Sequence, residues 1–232
     1  MILYVNGDSH SAGAEIIRTF AFAADDPLFK HMGRKPHPEC LKNSYGQNLA
    51  RRLNATQFIC DAESGASNER ILRTSQEFLT NSIHWDDVLI IIGWSTWERE
   101  EWPYDGEYIQ VNASGQDSVP NAFKHRYKQW LLKDNNKEEE WHSIIHNFHL
   151  ELFNKGIKHL FFNSYSYFNS KLDTVDWHNC YIHPYDPSET YWNFLKGKGY
   201  IPRYNGLHYG RSAHRSWANR LTNGLKSRSI IV

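Results

Sequence analysis

The sequence is short of several things, and each shortage excludes a class of protein. Its 26 basic and 26 acidic residues cancel to a formal net charge of zero. That leaves no electrostatic case for nucleic-acid binding or for attachment to an anionic membrane. No apolar run approaches the roughly 20 residues a helix needs to cross a bilayer. The first strand candidate starts at Ile2, which leaves no room for a cleavable signal peptide. Cysteine is scarce: Cys40, Cys60 and Cys180 are odd in number and scattered. This argues for free thiols in a reducing compartment, hence for cytoplasmic synthesis and retention, over a disulfide framework. No repeat, low-complexity tract or linker divides the 232 residues, a length that suits one domain with a full core.

Aromatic residues are abundant, at 15% with nine Trp. They read first as ordinary core, and second as platforms on which a sugar ring could stack. Strand candidates cover residues 2–5, 57–60, 88–92 and 159–163, all short and apolar with β-branched or aromatic residues, as buried parallel strands tend to be. Between them lie helical patterns. One runs over 44–53, with Tyr45, Leu49 and Leu53 on one face. Another begins at 69–70 and runs to about 81, with Ser67 as its N-cap. The clearest spans 138–155, with Trp141, Ile144, Ile145, Phe148 and Leu152 at helical spacing and Gly156 as its stop. Two more cover 187–195 and 212–225. Strands alternating with helices predict an α/β domain of three layers, α/β/α, around a mostly parallel, flavodoxin-like sheet. Two stretches break the alternation. Residues 23–43 are irregular and proline-bearing. Residues 98–136 read as an insertion after the third strand: a hairpin with turn signals at Tyr104-Asp105-Gly106 and Ser114-Gly115-Gln116-Asp117, then a helix over 121–132.

The chemistry concentrates at the two ends of the chain. The first strand runs into Gly7-Asp8-Ser9, which delivers a serine to a tight turn at the carboxyl end of a strand, where ligands bind in open α/β sheets. Near the other end stands Asn205-Gly206-Leu207-His208. Between them come Ser64-Gly65-Ala66-Ser67-Asn68 and Gly93-Trp94-Ser95, the latter directly after the third strand. In this order and at these places, the blocks resemble those of the SGNH/GDSL hydrolase superfamily over nearly the whole chain. The resemblance implies that Ser9 is the nucleophile and His208 the base. It implies an oxyanion hole formed by the backbone N–H of Ser9, that of Gly65, and the side chain at position 95. Two positions depart from the family's pattern: Ser95 stands where the family has an oxyanion Asn, and Asn205 where it has the Asp that orients the His.

The expected reaction is hydrolysis of small, acetyl-type esters, with a carbohydrate or other small ester as substrate, through a Ser9 acyl-enzyme. Asn205 would hold the His208 ring, Asp8 would cap the turn, and Asp8, His10, Trp94 and Trp97 would flank the substrate. No cofactor is expected. The competing reading is an impaired member of the fold that binds a glycan or a partner. His142, His146 and His149 share one helical face, but with no carboxylate at the expected spacing and no fourth ligand motif they read as a polar stripe rather than a metal site. Ser9 as a plain helix cap and His208 as a structural histidine are the corresponding structural readings. Nothing in the sequence assigns an oligomeric state.

Overall fold

The computed structural model describes residues 1–17, 35–81, 85–113, 119–134, 136–203 and 207–231. Along the chain come β1 (Ile2–Gly7), α1 (Ser9–Ala12), α2 (Pro38–Leu41), α3 (Tyr45–Arg52), β2 (Gln57–Cys60), α4 (Asn68–Asn81) and β3 (Val88–Trp94). There follow β4 (Glu100–Tyr104), β5 (Glu107–Val111), α5 (Lys124–Leu131), α6 (Glu138–Asn154), β6 (Lys158–Asn163), α7 (Tyr191–Gly197) and α8 (Arg211–Ser227).

The expected strands pair in parallel in the order β2-β1-β3-β6. Side chains alternate across this sheet with a period of two. Leu3, Val5, Leu89, Ile91, Leu160 and Phe162 share one core with Leu49 of α3 and with Trp217, Leu221 and Leu225 of α8. Tyr4, Ile90, Ile92 and Phe161 share the other with Ile71 of α4 and with Trp141, Ile145 and Phe148 of α6. Helices therefore cover both faces, and β3 is buried along its whole length. Among the described residues, the chain after β6 adds to this sheet a single parallel bridge, Phe161 to Tyr181.

Local chemistry fixes most boundaries. Ser44 caps α3 by accepting the Gln47 N–H, and the Ser67 hydroxyl accepts the Arg70 N–H at the start of α4. The helix expected over 187–195 is broken instead. Thr190 adopts an extended conformation and caps α7 with its hydroxyl, leaving Pro187–Glu189 as a separate 3-10 turn. The insertion forms the antiparallel hairpin β4–β5, turned by Asp105 and Gly106 at positive φ, followed by α5. It has a small core of its own around Trp102, Val111, Tyr127 and Trp130. The turn expected at 114–117 lies outside the described residues, as does most of the irregular stretch over 23–43.

Asn6 ties β1 to α4. Its Nδ2 lies 2.8 Å from Thr74 Oγ1, 3.0 Å from Ser75 Oγ and 3.1 Å from the Ile71 carbonyl, and it is fully buried. Asn6→Ala removes the buried amide that ties these groups to β1 and leaves a cavity, and it should lower the unfolding free energy in urea by about 2–3 kcal/mol. A loss below about 0.5 kcal/mol would show that water replaces the amide there.

The aromatic surplus is core. Trp94, Trp97, Trp102, Trp130, Trp141, Trp177 and Trp217 are all buried. Trp85 and Trp192 are half-buried, and Trp192 lies beside His10. The histidine stripe on α6 is also mostly buried: His142 and His149 lie under the chain that follows β6, against Trp177.

Candidate active site

Gly7 and Gly93 stand side by side at the carboxyl ends of β1 and β3. A Cβ on Gly7 would lie 2.2 Å from Ser11 Oγ, and one on Gly93 2.5 Å from the Phe162 ring. Glycine at these positions lets α1 sit directly on the sheet edge, with Ser9 as its first residue. Ser9 is buried, and its hydroxyl makes no hydrogen bond among the described residues, either with His208 or with any other group.

Asp8 caps α1, accepting the His10 N–H at 3.0 Å through Oδ1. Its other oxygen accepts from Ser95 Oγ at 3.2 Å and faces Arg99 Nη1 at 3.4 Å. Asp8 is thus buried and engaged on both oxygens, and it caps the turn as expected. The same bond gives the Ser95 hydroxyl a partner other than an oxyanion. A hydroxyl has one proton, and here it goes to Asp8 rather than toward an oxyanion. The Ser95 backbone is held too: its N–H donates to Asn68 Oδ1 at 2.8 Å, and its carbonyl accepts from Asn68 Nδ2 at 3.3 Å. Gly65 bends the chain into α4 at φ 84.

His208 comes to the same edge of the sheet. Its ring lies 5.4 Å from that of His10, the residue after Ser9. Its Nδ1 is 2.8 Å from Glu15 Oε2, and both side chains are largely covered. Glu15 is a non-glycine residue at φ 59, a left-handed conformation that an L-residue holds only at an energetic cost. Asn205, expected to hold the ring, lies outside the described residues. The carboxylate on His208 is therefore one that spacing did not indicate: Glu15 follows the serine by a few positions and has no motif around it.

His10 packs against Tyr191, Trp192 and His208. It is buried with Nδ1 unpartnered among the described residues, and burial pushes its pKa down to about 4. Behind it, His214 is fixed as a neutral ring. The Tyr45 N–H donates to its Nδ1 at 3.1 Å, so the proton sits on Nε2, facing Tyr191 Oη at 3.1 Å. Burial, with His10 and His208 nearby, lowers its pKa to about 3.

The Trp residues expected beside the substrate are elsewhere. Trp94 is fully buried in the core against Phe148 and Phe161. It points inward because it continues the alternation of β3. Trp97 stacks on Phe168 at 4.7 Å and helps line a cavity of about 490 Å³ with Trp130 and Tyr167. Neither Ser9 nor His208 lines that cavity.

Among the described residues, no helix is long and apolar enough to cross a membrane. No curated protein matches the sequence. One family model does match, over residues 31–149, which is just over half of the chain. The matched span contains Gly65, Asn68, Ser95 and the hairpin, and leaves Ser9, Glu15 and His208 outside it. On this match, the chain belongs to DUF6071, a family of unknown function.

Proposed function

We propose that the protein is a serine hydrolase of small acyl esters, built on an SGNH-like fold, with Ser9 as nucleophile, His208 as base and Glu15 as the carboxylate that orients the base. The observation that carries this reading is the 2.8 Å contact between His208 Nδ1 and Glu15 Oε2, held at the edge where α1 presents Ser9. A carboxylate on one imidazole nitrogen fixes the tautomer, leaves the other nitrogen to take a proton, and stabilises the imidazolium that results. The strand order and the Gly7-Asp8-Ser9 turn support the same reading.

In this scheme Ser9 Oγ attacks the ester carbonyl while His208 Nε2 takes its proton. The backbone N–H groups of Ser9 and Gly65 receive the oxyanion. His208 then protonates the departing alcohol, and water releases the acid by the reverse steps. Ser95 takes no part beyond holding Asp8. The lack of a Ser9–His208 hydrogen bond among the described residues fits a site that tightens only around substrate.

The absence, among the described residues, of a hydrogen bond between the Ser9 hydroxyl and His208 favours a second reading, a binding module for a glycan or a partner protein that performs no chemistry. A fluorophosphonate probe separates the two. The folded protein should gain one phosphonyl adduct by intact mass, and Ser9→Ala should gain none. Acetylated sugars are then the first esters to assay. A folded protein that stays unmodified would overturn the hydrolase reading and leave the binding module, to be tested on a glycan array.

A further inference from the structure

On the opposite face of the sheet from His208, helix α6 brings His149 against His159 of β6 and Cys180 of the chain that follows. We propose that His149, His159 and Cys180 form a binding site for one divalent transition-metal ion of the zinc class. One ligand atom from each lies within 4.8 Å of the others, and all three residues are buried. The donor set of two imidazoles and one thiol is the borderline-soft kind that Zn²⁺ and Co²⁺ select. Three protein donors leave a fourth position for water or a small ligand.

The surroundings of the donors match what a metal requires of its second layer. His159 Nδ1 donates to the Ile157 carbonyl at 2.7 Å, which turns Nε2 and its lone pair toward His149 Nδ1, 2.8 Å away. A backbone carbonyl on the distal N–H is the usual support of a ligating histidine. On its far side, His149 Nε2 meets His178 Nδ1 at 3.0 Å, and His178 Nε2 lies 3.7 Å from Asp176 Oδ2. Cys180 is held firmly: its carbonyl accepts the Phe161 N–H at 2.8 Å, and its N–H donates to the Trp177 carbonyl at 2.7 Å. His178 and Asn179 just before it adopt positive φ of 46° and 63°. Two successive strained residues are the cost of turning the chain here.

The proton inventory closes. Without metal, the Ile157 carbonyl requires the His159 proton on Nδ1, so His149 must donate from Nδ1 to His159 Nε2, and His178 from Nδ1 to His149 Nε2. Ligation through His159 Nε2 and His149 Nδ1 moves the His149 proton to Nε2, where it donates to His178 Nδ1. The His178 proton moves to Nε2, facing Asp176. No histidine loses a proton, and the Cys180 thiol releases one to solvent as its sulfur bonds the metal.

The test uses the full-length protein after chelator treatment, titrated with Co²⁺ and then Zn²⁺. We expect one equivalent to bind with a Kd below about 1 μM, a near-ultraviolet thiolate-to-cobalt band, tetrahedral-type visible bands bleached by Zn²⁺, and about one proton released per ion. Cys180→Ala should abolish the thiolate band. Alkylation with peptide mapping needs no variant: Zn²⁺ should protect Cys180 and leave Cys40 and Cys60 unchanged. Absence of saturable binding, or a cobalt spectrum with no thiolate band, would overturn the proposal and leave the three histidines as a hydrogen-bonded strut. The outcome is independent of the Ser9 chemistry.

Discussion

Glu15→Gln should lower the esterase kcat/KM by roughly 10³–10⁴-fold, with the loss in kcat and little change in KM. Gln keeps the shape, and its amide oxygen can still accept from His208 Nδ1. It lacks the negative charge that stabilises the imidazolium in the transition state, and its NH₂ can turn to favour the wrong tautomer. The contact is short, at 2.8 Å, and both side chains are only 13–14% exposed, so solvent screens the charge little. KM should hold because Glu15 acts through the base. Thermal stability should move little, which separates this effect from misfolding. A Glu15→Gln enzyme within threefold of the parent would show that another group orients His208, and would remove the observation on which the hydrolase reading rests.

Acid should unfold the protein earlier than its carboxylates alone would dictate. His10 and His214 titrate near 6.5 in an unfolded chain, but at about 4 and about 3 in the folded one, because burial opposes their charge. Between these values the unfolded state binds more protons, so stability is full at pH 7 and is lost as pH falls below about 6.5. At pH 5 each ring contributes roughly 2 kcal/mol of lost stability, about 4 kcal/mol together. That is a large share of the 5–15 kcal/mol typical of a folded domain. His214 has a specific reason to resist protonation: a proton on Nδ1 would face the Tyr45 N–H at the start of α3. His149 and His159, lowered to about 3 and about 4 by burial, add to the same decline. Urea unfolding at pH 7, 6 and 5 should show it, and His214→Gln, whose amide oxygen can accept the Tyr45 N–H, should recover roughly 2 kcal/mol of it at pH 5. A free energy that changes by less than about 1 kcal/mol over this range would mean the rings take up protons without unfolding.

The strands were legible because their apolar runs are bounded by turn residues, and the parallel sheet followed from their alternation with helices. β2 matches its expected span, 57–60, and the others differ only at their ends. The cap at Ser67 was legible too, since a hydroxyl before an amphipathic run has one local use, whereas Ser44 was read as part of its helix and proves to be the cap before it. Site partners were harder to read. Ser95 was expected to face an oxyanion, yet its proton goes to Asp8, 87 positions away. Trp94 was expected near substrate, yet the pleat of β3 turns it into the core. The α6 histidines read as a polar stripe, and nothing in their own helix reveals that Trp177 packs against all three and Phe168 against His142.

By itself the sequence determined the elements, their order, and the delivery of Ser9 to the end of the first strand. These depend on periodicity, capping and turn chemistry, which act over a few residues. The tertiary structure alone decided who meets whom: Glu15 with His208 across 193 positions, the Tyr45 N–H with His214 across 169, and His149 with His159. Such pairs depend on strand order and register and on how each helix lies on its face of the sheet. Every buried residue helps to set those quantities, and no short stretch of sequence encodes them.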